Sequence, residues 1–178
     1  MDVRLIIAFG FLLTAWSLWQ MTGFSLLMDS SLIVWSGVIQ GIGTGFAYVP
    51  LAAVAFATLP TKLRNEGTAV FNLMRNIGSS IGISIVQIML TRNTQIVHST
   101  LAEHITPYTR ILPPQIGPDG LSSAAGLATL NHLVTEQAAM IAYNDDFQMM
   151  LILTLCVIPL VLVLRDARPR NGAPVAID

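Results

Sequence analysis

Arg75 is the residue in this sequence with the clearest reason to do chemistry. It stands inside an apolar stretch, and a charge at a bilayer centre costs about 2.5 kcal/mol or more unless it faces protein or reaches the surface. Asn72 and Asn76 bracket it, four residues apart, which places them on one helical face. Gln40 and Gln87 are further polar groups within apolar stretches. These five residues are candidates for lining a substrate cavity or for gripping a neighbouring helix. The plainer reading is an arginine near the inner boundary whose stem lies in lipid and whose head reaches the headgroups. By position along the chain, Glu66 is the acidic residue within its reach.

Other reactive types are poorly arranged. His98, His104 and His132 lack the i, i+4 pairing of a helical metal site, and no metal ligand set is expected. Gly41-Ile42-Gly43-Thr44-Gly45 has the glycine content of a phosphate loop but lies in an apolar run with no strand before it. Asp145 and Asp146 read as solvated charges at the end of an apolar stretch. The lone cysteine, Cys156, cannot form an internal disulfide. No nucleophile stands near a base in a recognisable pattern, so the sequence gives no catalytic residue and no enzyme.

The elements that must position these residues are membrane helices. Of 178 residues, 53% are hydrophobic and only 11% are charged, against about 25% charged in a soluble domain. Four stretches are long enough to cross a hydrocarbon core of about 30 Å as helices: 5–27, 32–59, 68–90 and 147–164. An all-α integral membrane fold follows, because a lone lipid-exposed strand could not satisfy its backbone groups. The membrane domain is read as 1–165, with a long outer loop at 91–146 and a tail at 166–178. Pro107, Pro113, Pro114, Gly117, Pro118 and Gly120 make the middle of that loop irregular. From Ser122 the spacing of Leu127, Leu130, Leu133, Val134, Gln137, Ala138, Ile141 and Phe147 predicts an amphipathic helix leading into the fourth span.

Charge sets an orientation. Arg4, Lys62, Arg64, Arg165, Arg168 and Arg170 fall on the side shared by both termini, and Arg92 and Arg110 on the other. The positive-inside rule therefore predicts cytoplasmic termini, and Trp16, Trp19, Trp35, Tyr143 and Phe147 form an aromatic belt at the outer face. A net charge of −1 gives no footprint for nucleic acid; the lipid bilayer is the expected partner. Gly37, Gly41 and Gly45 in the second span, and Gly78 and Gly82 in the third, are spaced to let helices approach closely. The same glycine faces could instead slide during a transport cycle. Pro50 is a candidate hinge or a tolerated bend.

Three runs then carry a resemblance: QGIGTGFAYVPLAAVAFATLP (Gln40 to Pro60), RNEGTAVFNLMRNIGSSIGISI (Arg64 to Ile85) and EQAAMIAYNDDF (Glu136 to Phe147). Together with DVRLIIAFGFLL near the start, they resemble the EmrB/QacA-type drug:proton antiporters of the major facilitator superfamily. That family has fourteen spans, and the chain is similar to the last four. The resemblance implies export of small hydrophobic drugs from a bacterial inner membrane, with the proton gradient rather than a cofactor as energy source. It also implies a missing N-terminal half and a periplasmic adaptor as partners, since such transporters rock two halves about a midplane site. None of the four spans as read here holds an Asp or Glu for proton coupling. A part that does not transport alone is therefore expected. The alternatives are a four-span protein that oligomerises into a small exporter, or an assembly protein using its glycine faces.

Overall fold

A computed structural model describes residues 3–57, 59–105 and 123–163. The chain forms four long helices: α1 (Val3–Met21), α2 (Ser30–Ala57), α3 (Arg64–Glu103) and α4 (Ala124–Val163), with a single 3-10 turn at Thr61–Leu63. All four are long and apolar enough to cross a membrane, and no strand occurs among the described residues. The protein is thus an all-α, multi-pass membrane protein.

Each helix starts and stops for local reasons. α1 ends where the backbone tightens into turn hydrogen bonds, Gly23 N to Gln20 O and Phe24 N to Met21 O, and the Thr22 hydroxyl caps the Trp19 carbonyl. Helix therefore stops before the apolar run does, at Met21 rather than near residue 27. Asp29 precedes α2, and the Ser31 hydroxyl donates to its carboxylate at 2.6 Å. That bond, with backbone amides of Ser31 and Ser30, holds the Asp29 carboxyl below its ordinary range. Ser123 caps α4 by accepting from the Gly126 amide at 2.9 Å. Pro50 lies inside α2 and Pro159 inside α4 without ending either helix, as neighbouring helices and side chains can compensate the lost backbone bond in a membrane setting.

Two helices exceed what hydropathy marks. α3 and α4 have 40 residues each, or about 60 Å at 1.5 Å per residue, twice the thickness of the hydrocarbon core. Residues 91–103, read from the sequence as outer loop, are helical, and so are 124–146, where the spacing from Ser122 predicts the helix that leads into the fourth span. Hydropathy reports where lipid ends, whereas a helix continues until a breaker stops it, and 91–103 contains neither Gly nor Pro. The proline-rich middle of that segment, Arg110, and everything from 164 onward, including Arg165, Arg168, Arg170 and the tail, lie outside the described residues.

α1 packs between α2 and α4, and α4 packs between α1 and α3. The contact of α1 with α2 is built from small residues. A Cβ on Gly10 would meet the Ala47 amide nitrogen at 2.5 Å, and one on Gly43 would meet the Thr14 amide nitrogen at 2.8 Å. Ser17, fully buried, donates to the Ser36 carbonyl at 2.7 Å across this seam. At the far end of α1, Leu18, Met21 and Phe24 form an apolar cluster against Met140, Phe147, Met150 and Leu151 of α4. The face that α4 buries is Gly126, Val134, Ala138, Ala142 and Asp146. It shares Val134 and Ala138 with the helical series read from the sequence, while Leu127 and Ile141 are exposed.

Candidate functional site

The site with most chemistry lies where α2 and α3 meet. Phe71 and Arg75 are one helical turn apart on α3, and Tyr48 and Phe56 are two turns apart on α2. Arg75 donates from Nη1 to the Tyr48 hydroxyl at 2.8 Å, and its guanidinium carbon sits 5.8 Å from the centre of the same ring, within cation–π range. Phe71 packs against Phe56 edge-on at 5.3 Å and lies 6.4 Å from Tyr48. A cation is thereby held at the edge of a three-ring aromatic patch.

Tyr48 was not singled out by sequence reasoning. The signal was present: a phenol in the second span is a polar tip on an apolar body, suited to answer an intramembrane arginine. Glu66 does not take that part. It lies nine residues before Arg75 on α3, about 13 Å along the axis, and no ion pair joins the two among the described residues.

The other polar candidates are not gathered around Arg75. Asn72 and Asn76 are exposed on the neighbouring stripe of α3, and the Asn76 carbonyl accepts from Ser79. Gln40 is half-buried, and its carbonyl accepts from the Thr44 hydroxyl at 2.8 Å. It stands eight residues before Tyr48, about 12 Å away along α2. Gln87 is twelve residues beyond Arg75 and lines a separate shallow groove with Thr91, Arg92 and Gln95.

The glycines divide into two sets. Among the described residues, and apart from the helix's own adjoining backbone, nothing lies within 4 Å of a Cβ built on Gly37, Gly41, Gly45, Gly78 or Gly82. The close approach within the chain is made instead by Gly10 and Gly43, because Gly43 points towards α1 while the four-residue series beside it points away. Gly45 and Pro50 line an apolar groove of about 470 Å³ with Ile6, Ile42, Phe46 and Val49.

Asp146 is the second residue that sequence reasoning missed. It was placed at a solvated helix end, yet it is only 3% exposed, and neither carboxylate oxygen has a hydrogen-bond partner among the described residues. One and two turns before it, Ala142 and Ala138 are fully buried, and this Ala-x-x-x-Ala-x-x-x-Asp spacing was the legible clue. Nearby, Asn144 donates to the Phe24 carbonyl at 2.9 Å. The histidines do not gather: His98 meets Asn131 at 3.1 Å, joining α3 to α4, and His132 meets Glu136 at 3.6 Å on an exposed surface.

The fatty acid resistance protein FarB of Neisseria gonorrhoeae is 28% identical over 163 residues, covering 90% of this chain and 32% of FarB. The multidrug export protein EmrB of Haemophilus influenzae is 26% identical over 150 residues, 82% of this chain and 29% of its own length. EmrB of Escherichia coli K12 is 25% identical over 153 residues, 84% and 30% respectively. The chain thus spans about 30% of the length of these curated relatives. No family model matches the chain. No solved structure matches it either.

Proposed function

We propose that this chain, similar over most of its length to a limited part of EmrB-type multidrug export proteins, contributes the last four spans of such an exporter and works with the remaining helices. The observation that carries this is the combination of coverage and surface. The match takes in over four-fifths of this chain but under a third of each relative, and α3 has no buried residue along its whole length. An apolar helix so uncovered suits a larger bundle. By this reading the protein lies in a bacterial inner membrane with both termini cytoplasmic. It draws on the proton gradient, acts on small hydrophobic compounds, and cooperates with a periplasmic adaptor. Asn72, Arg75, Asn76, Gln40 and Gln87 are the residues offered to cavity or helix contacts, the outward glycines to packing against the missing helices, and Pro50 to bending.

One observation favours a second reading. Asp146 is a buried carboxyl within the bundle, of the kind a small self-sufficient proton-driven exporter needs. Drug-resistance complementation in an efflux-deficient bacterium separates the two. The expected outcome is no resistance from the membrane-inserted chain alone and resistance when it is co-expressed with the N-terminal ten spans of an EmrB-type exporter. Resistance from the chain alone, abolished by an uncoupler, would establish the small-exporter reading instead.

A further inference from the structure

Arg75 carries its charge in an apolar stretch of α3, and two helices agree on how deep it lies. It stands nine residues beyond Glu66, in the first turn of α3, and Tyr48 stands nine residues before Ala57, the end of α2. Each count is about 13 Å at 1.5 Å per residue, nearly half of a hydrocarbon core of about 30 Å. The 2.8 Å bond from Arg75 to the Tyr48 hydroxyl therefore fixes the guanidinium away from the headgroups. That bond uses one of the five N–H donors of a guanidinium. Among the described residues no carboxylate meets the others.

The surroundings of the pair define what can reach it. On α2, Gly41 is seven residues from Tyr48, and on α3, Gly82 is seven residues from Arg75, two turns in each case and so on the same face. Tyr48 and Arg75 point at each other, so these glycines line the two inner sides of the angle between α2 and α3. Among the described residues, nothing beyond the helix's own adjoining backbone lies within 4 Å of a Cβ built on Gly41, Gly78 or Gly82, and α3 has no buried residue. A further helix fits there with its backbone close to both arms, and its passage beside Arg75 decides what it must carry. An apolar residue at that level would strand a charge in hydrocarbon. A carboxylate would accept two parallel bonds from the guanidinium fork. The Tyr48 hydroxyl, an acceptor towards Arg75, keeps its own proton for a third bond. We propose that the angle between α2 and α3 receives a membrane helix from the rest of the exporter, that this helix presents an Asp or Glu to Arg75, and that Tyr48 positions the guanidinium for it. This pairing rests on the export reading above, under which the chain matches only about 30% of each relative's length.

The test is capture of the N-terminal ten spans of an EmrB-type exporter by the affinity-tagged full chain, titrated in mild detergent. Capture by the unaltered chain reads the export proposal alone. Against that level, Arg75→Gln should raise the apparent Kd about tenfold and Tyr48→Phe about threefold, the losses expected for a charged and a neutral hydrogen bond. Arg75→Lys should fall between, keeping the charge but not the fork, and Arg92→Gln should change nothing. Arg75→Glu should abolish capture, and lysine in place of one acidic residue within the ten spans should restore it. Restoration also shows that the Arg75→Glu chain is folded, and circular dichroism checks the helix content of the other variants. Unchanged capture by Arg75→Gln would leave Arg75 facing lipid and overturn the pairing. Failure of every intramembrane acid-to-lysine substitution to restore Arg75→Glu would overturn it too. Either result, obtained while the unaltered chain still captures the ten spans, leaves the export reading standing; loss of capture by the unaltered chain strikes both.

Discussion

Asp146 and Arg75 show two ways of accommodating a charged residue type in an apolar setting. Arg75 is exposed and bonded to a phenol, so its charge is met by a donor–acceptor contact and a ring face. Asp146 is buried with neither oxygen satisfied among the described residues. Burying a polar group without a hydrogen bond costs about 1–3 kcal/mol by mutational measures, and an apolar replacement of similar volume removes that cost. Asp146→Leu should therefore raise the thermal midpoint of the detergent-purified chain by about 2–4 °C, the shift that 1 kcal/mol gives a protein of this size. A lower midpoint would show that Asp146 has a partner and that its burial is stabilising. Arg75 was legible from sequence because a charge within an apolar run stands out in any window. Asp146 was not, because it sits immediately before the uncharged stretch that begins at Phe147, where hydropathy cannot distinguish a solvated helix end from a buried helix interior. Tyr48 escaped for a related reason: a lone tyrosine in a span has an apolar body, and only the neighbouring helix reveals what its hydroxyl is for.

Among the elements, the seam of α1 with α2 decides how the chain holds together. Gly10, Thr14 and Ser17 face Ser36, Gly43 and Ala47, so close backbone approach and one buried hydrogen bond replace the large side chains of a soluble core. A leucine at Gly43 would have to push backbone apart, whereas one at Gly41 meets open space within the chain. Gly43→Leu is expected to abolish folding of the isolated chain and Gly41→Leu to leave it intact, as read by size-exclusion profile and melting in detergent. In a complete exporter the order changes: if the outward glycines pack on other helices, Gly41→Leu also loses activity. Spacing alone identified a glycine series at Gly37, Gly41 and Gly45 but could not say which side of α2 meets α1. That choice depends on the partner helix, where Gly10 stands in a span that was read only for its length.

On the scale of the whole molecule, the bundle is uneven. α1 is shielded by two neighbours, whereas α3 runs beside α4 at one end and touches α2 through the aromatic patch near the other. The number of helices was legible because apolar runs of this length have no other stable form in lipid. The reach of α4 was legible too, from the helical spacing that begins at Ser122 and runs into the fourth span; that of α3 was not, because its outer portion is polar and lacks the breakers that would have marked an end. The orientation drawn from Arg4, Lys62 and Arg64 makes a direct prediction in a Cys156→Ser background. Ser99→Cys should react with a membrane-impermeant maleimide on right-side-out spheroplasts, and Lys62→Cys only after permeabilisation. The opposite labelling pattern would invert the topology.

The continuity of α4 has a mechanical consequence. From Leu127 to Ile158 it contains neither glycine nor proline, so the part packed on α1 and the part beyond it move as one rod. Measured from the Phe24–Phe147 contact, the arm to Ala124 is about 35 Å long, and a pivot there would use all of it. A tilt of about 5° at such a pivot carries the far end through about 3 Å, and the His98–Asn131 bond draws α3 along with it. A rearrangement small enough to be absorbed by the methionines beneath Phe24 is thereby delivered, magnified, at the opposite end of the arm.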